Sequence, residues 1–252
     1  MLVIMKNALK ERLRRKELYI IVVIGVLLFL LCSSESMTIS VEGEPLTGFQ
    51  NMFVVLHIAI NAIGCILGVV LSIQTIPNEY ERRNSHLVWV RGISQHTYHT
   101  GLALANILSS IIATFVLYIM LIVFTLVKGD GQSILNLILA FLMVAINVGI
   151  ISLLVSALSI VLPASIAGTI GIVFSLVGIF HGVLDLYGSM AGGAAKAVLK
   201  VILWIVPDLH GIQSQAQNIV MGKNIDWHLI IIGLLALYIC SAGMIIFKRK
   251  EA

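Results

Sequence analysis

Two long apolar runs, residues 53–76 and 102–127, flank the polar stretch IPNEYERRNSHLVWVRGISQHTYHTG at 76–101. About 20 apolar residues in a helix suffice to cross the hydrocarbon core of a bilayer. Each run therefore reads as a membrane span, and the polar stretch as the loop that joins them. Composition agrees, because 59% of the 252 residues are hydrophobic and 11% are charged, where a soluble domain carries about 25% charged residues.

Four further runs repeat the pattern at 18–32, 134–162, 166–187 and 229–247. The predicted fold class is an all-α integral membrane protein of six transmembrane helices. The basic residues set its orientation. Lys6, Lys10, Arg12, Arg14, Arg15 and Lys16 precede the first span, Arg82, Arg83 and Arg91 lie in the polar stretch, and Lys248, Arg249 and Lys250 follow the last span. Only Lys128, Lys196, Lys200 and Lys223 fall on the opposite side. Lys and Arg accumulate in cytosolic loops, so both termini are predicted in the cytosol. The formal charge of +4 is thus a matter of topology, and the chain has no surface suited to nucleic acid.

Residues 1–17 form an N-terminal interfacial amphipathic helix in this reading. Leu2, Met5, Leu9 and Leu13 recur at steps of three and four, and the other faces are basic, which suits the surface of an anionic leaflet. A secretory signal peptide is the rival reading, but the long patterned basic segment and the lack of a small-x-small site favour an uncleaved first span. Residues 18–252 then make a single six-span transmembrane domain, with a cytosolic loop at 77–100 and an external segment at 188–228. Within that external segment, 196–206 is apolar, carries two lysines and is too short to span. It reads as an interfacial or re-entrant helix that Pro207 ends. The segment 33–51 has Glu35, Glu42 and Glu44 and no Lys or Arg, as an external loop would. Cys32, Cys65 and Cys240 sit in apolar segments at unrelated spacings, which is neither a disulfide framework nor a metal motif.

The polar stretch has local logic of its own. Pro77 is expected to end the preceding helix and Asn78 to cap a new one, with Glu81 in the place of a capping-box acid. Glu79 and Glu81 put negative charge on the positive end of that helix dipole. Arg82 and Arg83 follow, then an apolar tip of Leu87, Val88, Trp89 and Val90, then Gly92 as a breaker and Ser94 as a cap for the next helix.

This order of Glu, Arg and small residues, apolar knob, turn and Ser resembles the cytosolic loop of ABC type-2 permeases. The resemblance extends to the basic N-terminal helix, the six spans and the WIVPDL segment at 204–209. Asn84 and Ser85 stand where family members often carry Gly-Thr, and Gly92 where they often carry Pro. The resemblance implies that the loop holds a coupling helix docking into a separate ABC ATPase subunit, present in two copies. It also implies a second permease chain, as a homodimer or a sibling heterodimer, in the plasma membrane of a bacterium. Asn78, Glu79, Glu81, Arg82, Arg83, Leu87 and Trp89 are then the coupling-loop residues. ATP and magnesium would be bound by the partner subunit, with no cofactor in this chain.

Polar groups inside spans are costly and often functional. His57, Asn61, Gly64, Gly68 and Ser72 fall at steps of four, three, four and four, which puts them on one helix face. Such a stripe serves as a packing seam, a translocation path, or both. Asn147, Ser152, Ser156 and Ser159 mark a weaker polar face on the fourth span, and Asn147 joins His57, Asn61, Gly64 and Gly68 as a candidate for the path. On the fifth, His181 and Asp185 are one turn apart and read as a satisfied pair, and Gly178 and Gly182 form a GxxxG pair.

Enzyme chemistry is not indicated. His57 and Asn61 match HxxxN, but the acidic helix and further His of the intramembrane metalloproteases are missing, and neither GxSG nor HExxH occurs. Gly222-Lys223 lacks the remainder of a P-loop, so any ATPase is a separate polypeptide. The few charges along the spans suggest a hydrophobic or amphipathic cargo, such as a peptide, lipid or drug, moved outward. A stand-alone secondary transporter or channel would commonly show inverted repeats and paired broken helices. A non-transporting scaffold would use the same loop without a nucleotide-linked cycle.

Overall fold

The structure is a computed structural model, and it describes residues 1–14, 23, 27, 40–41, 44–45, 49–81, 90, 92–128, 133–190 and 192–247. The predicted first span, most of the 33–51 loop, the tip residues Arg82, Arg83, Leu87, Val88, Trp89 and Arg91, and the C-terminal 248–250 lie outside the described residues, apart from isolated positions.

The elements in chain order are α1 (Leu2–Arg14), a short antiparallel pair β1 (Ser40–Val41) and β2 (Glu44–Pro45), α2 (Phe49–Ile73), α3 (Thr75–Glu81), α4 (Gln95–Lys128), α5 (Ile134–Val161), α6 (Ala164–Ile179), α7 (His181–Met190), α8 (Gly193–Ile205), α9 (Leu209–Val220) and α10 (Trp227–Ile246). Four helical stretches are long and apolar enough to cross a membrane: Phe53–Glu81, Gln95–Val127, Ile134–Val161 and Trp227–Ile246. A fifth arises if α6 and α7, which meet at 70°, count as one bent span.

α5 is the centre of the bundle. It is apolar on all sides, and 61% of its most apolar window is buried, against 17% for α10. A helix apolar all round belongs inside, and α5 packs against α2, α4, α6, α9 and α10. Three clusters of buried side chains follow its length. Phe53, Leu117, Tyr118, Leu137 and Val144 lie at one end, Cys65, Val69, Ile151 and Leu209 in the middle, and Ile76, Tyr98, Leu102, Ala157 and Met244 at the other.

Several expectations are revised. The break after the second span is at Gln74, not at Pro77: α3 begins at Thr75 and Pro77 lies in its first turn. An N–H there has no intrahelical partner in any case, so proline is tolerated and the helix need not end at it. Asn78 is therefore not a cap; its backbone N–H donates to the Gln74 carbonyl at 3.0 Å.

The segment predicted as the fifth span is not one straight helix, because it turns at Phe180. Gly178 and Gly182 line that turn and admit the corner before α9. A Cβ on Gly178 would lie 2.7 Å from Leu209 Cγ, and one on Gly182 would lie 2.9 Å from the His210 ring.

The segment 188–228, read as external, contains α9, a helix set into the core. Leu209, Ile212, Ala216, Ile219 and Val220 are buried, a spacing that makes one apolar face. Asp208 caps α9 by accepting from the Gly211 N–H at 2.7 Å. α8, by contrast, is the predicted short apolar helix and buries none of its residues.

The N-terminal helix follows its predicted stripe in part, with Met5 and Leu9 half-buried beside Ile4 and Ala8. α1 packs on α4, with Ile4 against Gly101, while Leu2 stays exposed.

Candidate functional site

Two polar regions are built into the bundle, one beside the loop and one along α2. The loop-side region joins α3 to the first turns of α4. Gly92 has φ +75°, which glycine adopts without strain. Ser94 then caps α4, with its Oγ 3.3 Å from the Thr97 N–H and 2.8 Å from the Thr97 hydroxyl. This brings the polar start of α4 alongside α3.

Tyr98 donates to Glu79 at 2.5 Å, Gln95 donates to the Tyr80 hydroxyl at 2.8 Å, and that hydroxyl lies 2.7 Å from His99 Nε2. At the start of α3, the Thr75 hydroxyl lies 3.0 Å from the Leu71 carbonyl and 2.9 Å from Asn106 Oδ1. Asn106 in turn donates to Ser156 of α5 at 2.8 Å. Ile76, fully buried, packs between these polar contacts with Tyr98, Leu102 and Leu153.

Of the predicted coupling-loop residues, Glu79 is engaged in this network, Asn78 is half-buried inside α3 and Glu81 is exposed at its end. Arg82, Arg83, Leu87 and Trp89 lie outside the described residues.

The second region is the stripe on α2. His57, Asn61, Gly64, Gly68 and Ser72 are all buried, facing α4, α5 and α9. Gly64 is filled by Thr114 and Val148, whose side chains a Cβ would meet at 2.8 and 3.0 Å; Gly68 sits against the Val148 carbonyl, 3.3 Å from the site of its absent Cβ. Ser72 and Ser152 share a hydrogen bond of 2.8 Å. The stripe is thus a close-packed seam within one chain in this conformation.

Farther from the loop, Asn61 donates to Gln213 of α9 at 2.9 Å. Asn147 donates to Asn61 at 3.2 Å and to the Leu209 carbonyl at 2.9 Å. Three helices meet in this amide cluster. Gln213 was not singled out from sequence; the signal was a Gln on the periodic apolar face of 209–220. His57, one turn beyond Asn61, stacks on Phe53 at 5.5 Å between ring centroids and meets Tyr118 edge-on at 5.9 Å. Neither ring nitrogen of His57, nor the Tyr118 hydroxyl, nor Asn147 Oδ1 has a hydrogen-bond partner.

The predicted His181–Asp185 pair is not what forms. His181 instead lies 3.7 Å from Asp208 and 3.2 Å from the Leu203 carbonyl, which ties α7 to the corner between α8 and α9. Among the described residues, no group of three or more His, Cys, Asp or Glu side chains could hold a metal ion. What the two regions can do is mechanical: one fastens the loop-side helix to the bundle, and the other packs the spans with polar groups inside.

Comparison with known proteins addresses this arrangement as a whole. A family model described as "ABC-2 family transporter protein" matches residues 2–252. No curated protein matches the chain.

Proposed function

The chain belongs to the ABC-2 family of transporter proteins, and on that premise we propose that it is the permease subunit of an ATP-driven exporter, coupling a separate ATPase to the outward movement of a hydrophobic or amphipathic cargo. The observation that carries the reading is the family match over nearly the whole chain, which falls on a protein with at least four membrane-capable helices. The apolar runs support six spans, and the placement of basic residues supports both termini in the cytosol with the 77–100 loop on the same side. The family resemblance supports the plasma membrane of a bacterium as location.

In this scheme two permease chains face one another over two ATPase subunits, which bind ATP and magnesium. Closure of the ATPases moves the loop. Only contacts that differ between the nucleotide-bound and nucleotide-free states can shift the permease between conformations. Glu81, Arg82 and Arg83 give the loop polar anchoring, and Trp89 an apolar one.

The test is a pull-down from native membranes in mild detergent, with residues 78–89 either intact or replaced by Gly and Ser. An ATPase subunit should co-purify with the intact loop alone. Its absence from both forms sinks the assignment. In transport assays, E81A combined with W89A should abolish cargo movement while leaving membrane insertion intact.

A further inference from the structure

We propose that Glu79, Tyr80, Gln95, Tyr98 and His99 are positioning residues that lock α3 to the base of α4, so that α3 moves with α4 and pivots against α2 at Gln74. The proposal rests on the coupling reading above and specifies which span receives the motion of the loop.

By sequence, α3 is the continuation of α2, and a push on the loop would be expected to travel straight up α2. The contacts argue otherwise. The backbone joint between the two is weak: Gln74 interrupts the helix, and Pro77 has no N–H to give to the Ile73 carbonyl. Across that joint run the Asn78–Gln74 backbone bond and the Thr75 hydroxyl's contact with the Leu71 carbonyl.

The same Thr75 hydroxyl also reaches Asn106 of α4, at 2.9 Å. The far end of α3 is held to α4 by three side-chain bonds, Tyr98 to Glu79, Gln95 to Tyr80 and Tyr80 to His99, all of 2.8 Å or less. Between those two attachments the fully buried Ile76 packs with Tyr98 and Leu102 of α4 and Leu153 of α5. α3 is thus held to α4 by side-chain contacts at its start, middle and end, while Gln74 and Pro77 interrupt the backbone ladder by which it continues α2. The Asn106–Ser156 bond carries the attachment onward into the central helix α5.

The first test uses the purified chain alone in lipid nanodiscs. Amide hydrogen exchange is followed by mass spectrometry in the unaltered protein and in Y80F/Y98F, which removes all three far-end bonds without creating a cavity on the scale of a side chain. Exchange over 78–81 should quicken by about tenfold, as expected for the loss of a few hydrogen bonds, while exchange over 60–70 in α2 stays unchanged. Equal exchange in both proteins over 78–81 overturns the clamp.

The second test reads motion in the complex with the co-purified ATPase, after Cys32, Cys65 and Cys240 are replaced by Ala. Spin labels are placed at Asn78 and Ser94, across the clamp, or at Asn78 and Val70, across the Gln74 joint. Distances are compared in nucleotide-free and vanadate-trapped states. The Asn78–Ser94 distance should stay constant while Asn78–Val70 shifts, and in Y80F/Y98F the constancy of the first pair should be lost although the ATPase still co-purifies. A shift across the clamp with a fixed joint, or no shift in either pair, overturns the proposal. Failure of any ATPase to co-purify sinks the permease reading instead, and the exchange experiment still decides the clamp.

Discussion

The two ends of the α2–α4–α5 bundle differ in how many of their polar groups are bonded. At the loop end, Glu79, Tyr80, Gln95, Tyr98, Thr75 and Asn106 are joined by hydrogen bonds, and Ser72 bonds Ser152 just above them. Two ring atoms there, His96 Nδ1 and His99 Nδ1, are nevertheless buried without a hydrogen-bond partner. At the other end both ring nitrogens of His57 and the Tyr118 hydroxyl are unmatched, with few bonds around them. A buried donor or acceptor without a partner costs about 1–3 kcal/mol, whereas a made bond contributes about 1 kcal/mol. The loop end therefore gains more from its polar groups than the far end does. The amide cluster of Asn61, Asn147 and Gln213 lies between, and it sets where the paired region stops.

The largest effect is expected at that boundary. N147L removes the donor to both Asn61 and the Leu209 carbonyl and leaves two acceptors without it, which should cost about 2–5 kcal/mol. Thermal unfolding in detergent would show it as a marked fall in Tm. An unchanged Tm would mean that the boundary cluster holds nothing, and the contrast between the ends would lose its middle term.

A smaller loss is expected from G64A, because the new methyl would meet Thr114 Cγ2 and Oγ1 at 2.8 and 2.9 Å. Overpacking of this kind costs about 1–3 kcal/mol. The companion T114A removes both clashing atoms, so the double variant should recover most of the Tm lost by G64A. Additive losses instead of recovery would show that the seam is not the contact that holds α2 to α4.

Much of this architecture is legible in the sequence because long apolar runs carry their own evidence. The span read at 134–162 is the helix Ile134–Val161, and 229–247 is Trp227–Ile246. The α2 stripe is legible too, since a step of three or four places residues on one face whatever surrounds them. What filled the stripe was not legible. Thr114, Val148 and Gln213 come from other helices, and no local pattern names them.

α9 escaped because Gln213, Gln215, Gln217 and Asn218 dilute its hydropathy, although Leu209, Ile212, Ala216 and Ile219 keep helical spacing. Pro77 misled for a different reason. A proline is read as a breaker, yet in the first turn of a helix it breaks nothing, and the break moved upstream to Gln74. The clamp around Tyr80 was hidden in the same way as Gln213, since it pairs residues from either side of a loop whose sequence shows only a polar stretch.

The smallest effects give the sharpest test, because one chemical change can be made at both ends. Y98F removes a buried hydroxyl that bonds Glu79. Y118F removes a fully buried hydroxyl that bonds nothing. The two substitutions delete the same atom from the same residue type at similar depth, so the difference between them isolates the partner. Y98F should lower stability by about 1 kcal/mol, and Y118F should leave it unchanged or raise it slightly, because the desolvation cost of the unmatched hydroxyl disappears with the group. Opposite signs in paired thermal unfolding curves would establish that the ends differ as described. If Y118F instead lowers Tm as far as Y98F does, the Tyr118 hydroxyl has a partner in solution, and the far end is as firmly held as the loop end.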